Sequence, residues 1–150
     1  ISGVVAPQGI GADPWEAGAY VKTGANPITG ADTIPEGKRL QDWHFPQPGE
    51  SAYRYETGHP NYTRVTPQRG LTPGTYAAPS SEPLLSQKQL AIRYNLPSPD
   101  IPRTVRYNVN PGPLDVIVGP RPVAGGTGYE VYFPFGTGPG TVYGPYRVPE

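Results

Sequence analysis

Apolar and polar residues alternate most clearly in the last third of the chain. In RTVRYNVN (103–110), the side chains of Val105, Tyr107 and Val109 alternate with polar ones. This period of two is typical of a half-buried β-strand. LDVIV (114–118), GYEVYFPF (128–135) and TVYGPYRV (141–148) are three further candidates, and Gly144 and Pro145 interrupt the last of them. These segments predict a small, twisted antiparallel sheet formed mainly after residue 100.

One segment, 80–97, carries the start and stop signals of a helix. Ser80 or Ser81 is a candidate N-cap, Pro83 would lie in the first turn, and Pro97 is a stop signal. Its apolar spacing is only fair. With the strand candidates, this segment predicts a β-rich α+β fold with one or two short helices and many Gly/Pro loops.

Glycine and proline interrupt most apolar runs before residue 61. AYVKTG (19–24) and SAYRYE (51–56) remain as short strand candidates. The segment RGLTPGTYAAP (69–79) contains two glycines and two prolines, which argue against a long helix or a clean central strand. We therefore expect this segment to serve a ligand rather than the core.

The composition indicates a folded chain despite its loops. Its 20 glycines and 22 prolines fall in the range of low-complexity sequences. However, two Trp, eleven Tyr and three Phe, with a formal net charge of +0, are unlike a disordered segment. We expect one domain over residues 1–150, with an irregular lead-in at 1–42 and a functional core at 43–150.

Several function classes are disfavoured by the residues present. The balanced charge gives no reason to expect nucleic acid or a membrane surface as a partner, and no apolar run approaches a membrane span. His44 and His59, in a chain without cysteine, offer no metal constellation. The glycine-rich GTGPG (136–140) lacks the Lys-Ser/Thr of a P-loop, so a loop between strands is expected there.

Arginine dominates the basic residues. Nine of the twelve are Arg: Arg39, Arg54, Arg64, Arg69, Arg93, Arg103, Arg106, Arg121 and Arg147. The guanidinium fork binds phosphate at two points, whereas Lys acts as a point charge. This bias suits an anionic ligand, although solvated surface ion pairs are the ordinary alternative for any one arginine.

RGLTPGTYAAP followed by QLAIRYNLP resembles the tuberculosis necrotizing toxin family of NAD(P) glycohydrolases. That family carries an Arg, then Gly-x-Tyr/Phe-x-x-Pro, then Arg-x-Leu-Pro-Pro. WHFPQPGESAYRY is similar to the family's approach to this loop. RTVRYNVN and GPRPVAGGTGYEVY are similar to its paired strands and its Gly-Gly-Gly-Thr-Gln ending. The resemblance covers residues 43–132 and implies that NAD or NADP is the substrate, with no further cofactor and no metal.

The resemblance implies a set of site residues. Its catalytic candidates are Arg69 on the phosphate side, Tyr76 in the nucleotide pocket, and Glu130. Glu130 is the nearest polar substitute for the family glutamine, which falls on Gly128, and it is equally expected as a solvent-facing strand residue. The implied substrate-binding residues are Arg93, Arg64, Gly74, Thr127 and Tyr129. Arg64 competes with Arg69 because the family spacing to the tyrosine is one residue longer.

Nicotinamide leaves NAD as a neutral molecule, so no general acid is needed and a sparse site suffices. Two other functions stay open. An ADP-ribosyltransferase-type toxin would use the same NAD, and Glu130 after Tyr129 fits its pattern. A non-enzymatic Pro/Gly-rich module would use tyrosines for packing or partner contact.

The start at Ile1 and the absence of methionine suggest a piece of a longer protein or a processed chain. The resemblance then implies a domain that is secreted or delivered into a target cell, where it acts in the cytoplasm. It also implies a cognate immunity protein as a possible partner.

Overall fold

A computed structural model describes residues 20–22, 33–35, 43–96 and 98–150. Strands β1 (Tyr20–Lys22) and β2 (Thr33–Pro35) form a separate antiparallel pair. The lead-in, expected to be irregular, therefore contains at least these two strands. The rest of segment 1–42 lies outside the described residues.

The main sheet has seven strands, and all neighbouring strands run antiparallel. Its order is β3-β7-β8-β5-β4-β6-β9. The strands are β3 (Trp43–His44), β4 (Ala52–Glu56), β5 (Thr75–Pro79), β6 (Val105–Val109), β7 (Ile117–Pro122), β8 (Tyr129–Phe133) and β9 (Val142–Arg147). The sheet-rich class is confirmed. Four of the seven strands follow residue 100, as expected, whereas β3, β4 and β5 precede it, and β5 and β4 lie inside the sheet.

Strand β5 corrects the expectation that segment 69–79 avoids a central strand. It lies in the middle of the sheet, between β8 and β4, and all five of its residues are buried. The glycines and the first proline lie before it, and Pro79 is its last residue. The turn residues therefore position the strand instead of interrupting it.

The strands predicted in the last third agree in part with the structure. β6 and β8 lie within RTVRYNVN and GYEVYFPF, and β9 lies within TVYGPYRV. β7 begins at Ile117, later than predicted. The preceding Asp115 is held in a loop, where its Oδ2 accepts hydrogen bonds from Gly112 N at 2.6 Å and Gly138 N at 3.2 Å.

The helix α1 (Gln87–Tyr94) is shorter than the predicted segment. Its N-cap is Ser86, whose backbone N donates to Gln89 Oε1 at 2.9 Å, so neither Ser80 nor Ser81 begins the helix. Ser80 and Ser81 instead lie in a turn that follows β5, where Glu82 N donates to Pro79 O at 2.9 Å. A 3-10 turn (Pro60–Tyr62) also follows β4.

Each face of the sheet carries its own apolar core. One face, called here the helix face, packs Tyr55, Tyr76, Ala78, Val118 and Tyr132 against Leu85, Leu90 and Tyr94. The other, called the cleft face, carries Ala52, Ala77, Val109, Ile117, Val131, Phe133 and Val142 with Leu71. The sheet is thus an internal layer between the two cores.

Within the described residues, no helix has the length and apolar character needed to cross a membrane.

Candidate functional site

A cleft of about 600 Å³ opens beside the loop that joins β4 to β5. Its volume falls within the usual range for small-molecule sites. Its lining residues in the described chain are Glu56, Gly58, His59, Pro60, Thr63, Val65, Thr66, Pro67, Arg69 and Tyr107. We call it the Arg69 cleft, since Arg69 contributes the one guanidinium among these residues.

The backbone of Arg69 adopts a conformation that normally selects glycine. A tight turn forms where Arg69 N donates to Thr66 O at 2.9 Å and Thr66 N donates to Gly70 O at 2.8 Å. Arg69 completes this turn with a φ of 65°. A left-handed residue after such a turn is ordinarily Gly, because a Cβ there costs energy. Strained backbone of this kind concentrates at functional sites.

Strand β9 and Tyr107 of the neighbouring strand β6 hold the Arg69 turn in place. Arg69 O accepts hydrogen bonds from Thr141 N at 2.9 Å and Val142 N at 3.0 Å. The guanidinium donates to Gly144 O, and its carbon lies 5.9 Å from the centroid of the Tyr107 ring. The arginine head is therefore placed over an aromatic wall although the residue is solvent-exposed.

A buried carboxylate, that of Glu56, is among the groups that line the Arg69 cleft. Glu56 is 4% exposed, and its Oε2 accepts from Arg54 Nε at 3.1 Å and Arg64 N at 2.8 Å. Its Oε1 accepts from Thr63 Oγ1 at 2.6 Å. Arg54 is buried as well and donates from Nη1 to Tyr76 O at 3.1 Å. These donors fix the carboxylate beneath the cleft.

Glu56 and Arg69 both line the Arg69 cleft beside Tyr107, and their charges have opposite effects on the pKa of its hydroxyl. Burial raises the pKa of Tyr107 above its ordinary value, and the negative charge of Glu56 raises it further. Arg69 opposes this increase. The cleft thus brings a cation, a carboxylate and an aromatic ring together.

Arg93 forms a different cluster on the helix face. It lies in the last turn of α1 and pairs with Glu82 at two points, Nε to Oε1 at 3.0 Å and Nη2 to Oε2 at 2.9 Å. Tyr129 N donates to the same Oε1 at 3.0 Å. Burial favours a higher pKa for Glu82, but the bonds from Arg93 and Tyr129 outweigh it and hold that pKa below its ordinary value.

The structure does not bring Arg69 and Arg93 into one cleft beside Tyr76, as the sequence led us to expect. Arg69 lies over Tyr107, which packs on the cleft face, whereas α1 packs on the helix face. Tyr76 is 0% exposed, and its ring is 4.7 Å from that of Tyr132 in the helix-face core. The sheet lies between the two arginines.

The remaining predicted site residues divide between the two faces. Glu130 is buried on β8 and lies directly opposite Arg121 of β7, so it is not the solvent-facing strand residue that was the alternative. Thr127 N donates to Arg93 O at 3.0 Å, which ties this loop to α1. Gly74 directly precedes β5, and its N donates to Phe133 O at 2.9 Å.

Gly128, where the family glutamine falls, has a packing reason to be glycine. A Cβ added there would lie 2.5 Å from Glu82 Oε1 and 2.7 Å from Tyr94 Cε1. Gly126 is similar, with Arg93 O only 2.4 Å from the added Cβ. No side chain fits at 128 in this arrangement, so a glutamine cannot be accommodated at that position.

Sequence reasoning missed three residues that organise these sites: Glu56, Tyr107 and Glu82. The signal for Glu56 was its place two residues after Arg54 in AYRYE, which puts both charges on one face of β4. Tyr107 was recognised as a strand residue but not as a wall of the cleft. For Glu82, eleven residues before its partner, no local signal exists.

No protein-family model matches this chain, and no curated protein or solved structure matches it either. The likeness to the toxin family therefore rests on the quoted motifs alone. Among the described residues, no group of three or more His, Cys, Asp or Glu side chains could hold a metal ion.

Proposed function

We propose that the chain is an NAD(P)+ glycohydrolase domain whose substrate binds in the Arg69 cleft. The observation that carries this proposal is the arginine held in a left-handed conformation over Tyr107, beside a buried carboxylate. A non-glycine residue kept in that conformation points to selection for the side chain. The motif likeness around Arg69 supplies NAD as the anionic ligand.

Each residue of the cleft has a role in this proposal. Arg69 would pair with the diphosphate, since its guanidinium retains donors beyond the one used on Gly144 O. Tyr107 would stack on a ring of the dinucleotide. Glu56 would stabilise positive charge on the ribose at the cleft floor.

The reaction needs few groups because the leaving group is already activated. The bond between ribose C1′ and nicotinamide N1 breaks, and its electron pair neutralises the pyridinium ring. Water adds to C1′ and releases a proton to solvent, which yields nicotinamide and ADP-ribose. Negative charge near C1′ lowers the barrier as the oxocarbenium character develops.

The test is nicotinamide release from NAD and from NADP by the 150-residue chain, followed by chromatography. We expect release by the wild type, and a loss of roughly ten-fold to a hundred-fold in kcat/KM for Arg69→Ala and for Glu56→Gln. Arg69→Lys should retain only part of the wild-type kcat/KM, because lysine lacks the guanidinium fork that binds phosphate at two points.

Variants on the other face serve as matched controls. Arg93→Ala and Glu130→Gln lie across the sheet from the Arg69 cleft, so their kcat/KM should stay near the wild-type value once folding has been verified. If kcat/KM fell only in Arg93→Ala and Glu130→Gln, the site would lie on the helix face instead. Absence of release by the wild type would overturn the hydrolase proposal.

A transferase remains the second candidate, favoured by the buried Glu130 that directly follows Tyr129. Added protein or nucleic-acid acceptors should stay unmodified if the hydrolase proposal holds. Radiolabelled ADP-ribose on an acceptor, exceeding free ADP-ribose, would favour the transferase instead.

A further inference from the structure

A second pocket, of about 300 Å³, lies on the helix face where β4, β6 and β9 meet. It is separate from the Arg69 cleft and shares no lining residue with it. We call it the Tyr–Asn pocket, and its lining residues are Ser51, Tyr53, Asn108, Asn110, Tyr143 and Tyr146.

A bulge in β9 builds this pocket. Asn108 pairs with Tyr143 and Arg106 pairs with Tyr146, so the one residue between the pairs in β6 lies opposite two residues of β9, Gly144 and Pro145. In a regular strand, Tyr143 and Tyr146 would point to opposite faces. The bulge at Gly144, whose φ is 119°, places both rings on the face shared by Arg106 and Asn108.

Both rings are available at the surface. Tyr143 is 49% exposed and Tyr146 is 44% exposed. Bulges frequently re-aim side chains at binding sites, and here the extra residue serves two large aromatic groups that the core does not use. Packing alone does not account for this arrangement.

The cation beside the pocket is already engaged by the protein. The Arg106 guanidinium carbon lies 5.5 Å from the Tyr53 ring centroid and 5.4 Å from that of Tyr146. Its Nε donates to Asn108 Oδ1 at 3.2 Å. Arg106 therefore holds the Tyr53 ring, the Tyr146 ring and the Asn108 amide in place. The pocket presents hydroxyl and amide groups to solvent.

We propose that the Tyr–Asn pocket binds a neutral sugar unit of a glycan. Each side-chain amide both donates and accepts, as does each sugar hydroxyl, so amides suit neighbouring hydroxyl groups. Tyrosine rings offer an apolar face to the C–H side of a sugar ring and a hydroxyl at the rim. The six lining residues carry no charged side chain, which matches an uncharged ligand.

Other ligands fit this pocket less well. A single-stranded nucleic acid would also stack on tyrosines, but it needs a cationic track along its phosphates. A proline-rich peptide prefers an apolar, aromatic groove, whereas asparagine and serine account for half of these lining residues. This site does not depend on NAD chemistry, so it is tested without nucleotide.

The test is saturation-transfer NMR with four neutral tetrasaccharides: maltotetraose, cellotetraose, mannotetraose and N-acetylchitotetraose. We expect transfer to at least one of them. For that sugar, Tyr143→Ala and Tyr146→Ala should each weaken binding by about ten-fold, while Tyr143→Phe keeps most of it. Tyr62→Ala is the matched control, because Tyr62 is 68% exposed and lies outside the pocket.

Circular dichroism and thermal melting establish that each variant is folded. Transfer to none of the tetrasaccharides would overturn the proposal. It would equally be overturned if the sugar bound both alanine variants as tightly as the wild type. Decaproline and a uridine oligonucleotide represent the two rival ligands, and binding of only one of these would also overturn the proposal.

Discussion

At the scale of single residues, Arg69 shows a conflict between backbone and side chain. Its φ of 65° suits glycine, yet an arginine is retained there with its head over Tyr107. The left-handed conformation costs a non-glycine residue roughly 1 to 2 kcal/mol. This cost is accepted where the side chain has a function that glycine cannot supply.

The variants Arg69→Gly and Arg69→Ala separate the cost of the left-handed backbone from the role of the guanidinium. Both remove the guanidinium, so both should lose nicotinamide release to a similar extent. Only glycine relieves the backbone, so Arg69→Gly should be more stable than Arg69→Ala by about 1 kcal/mol in urea unfolding. Equal stabilities would refute the strain argument, and full activity in both variants would refute the role in binding.

At the scale of elements, Glu82 joins a loop, a helix and a strand. Its carboxylate accepts two bonds from Arg93 of α1 and one from Tyr129 of β8. The C-terminal end of α1 is further tied down by Asn95, which is left-handed and donates from Nδ2 to Ala124 O at 2.9 Å. The last turn of α1 is therefore held by polar contacts as well as by Leu90 and Tyr94.

The pH dependence of stability should reflect the Glu82 pair. The folded-state pKa of Glu82 lies below its ordinary value of 4.5, so the pair stabilises the fold above that pH. This contribution is lost as the pH falls through the folded-state pKa. Glu82→Gln should lower the free energy of unfolding at neutral pH by about 1 to 3 kcal/mol and flatten its decline in acid.

Urea unfolding from about pH 3 to about pH 7 measures this effect. Asp100→Asn, at an exposed carboxylate, is the control and should follow the wild-type curve. A Glu82→Gln curve parallel to the wild type through the acid range would contradict the assignment.

At the scale of the whole molecule, one sheet is shared by two cores. Ala77 and Ala78 are both 0% exposed and point from β5 into opposite cores. Every residue of β5 is buried, and β5 contributes side chains to both cores. Exposing either core would therefore disturb a strand that is also part of the other core. The two cores should therefore unfold together.

Leu90→Ala on the helix face and Phe133→Ala on the cleft face test this cooperativity. Leu90 is 1% exposed and Phe133 0%, so each truncation should cost about 2 to 5 kcal/mol. Both variants should shift a single thermal transition, observed alike by far-UV circular dichroism and tyrosine fluorescence. Leu114→Ala, at a side chain that is 80% exposed, should leave it in place. Two separate transitions, one sensitive to each variant, would show that the cores are independent.

Local patterns in the sequence determined much of the fold. Alternation located β6, because a half-buried strand imposes a period of two on its own residues, and the flanking Gly and Pro bounded the segment that contains β8. Gly144 and Pro145 were expected to interrupt β9, but the strand continues through them, and they mark the place where its pairing with β6 shifts register. The helix was located near its true position, but its predicted start was wrong because Ser80 and Ser81 lie in a turn after β5 and Ser86 is the N-cap.

Tertiary structure decided the rest. Which strands pair, and on which face of the sheet a side chain lies, depend on residues that are far apart in the chain. Nothing local shows that Thr75–Pro79 lies between β8 and β4, or that Glu82 meets Arg93. Arg69 and Arg93 are similar as sequence signals, and only the sheet between them assigns them to different faces. The sequence alone determined the residue types and periods; the strand order determined which side chains share a site, since it is set by non-local burial and hydrogen bonding.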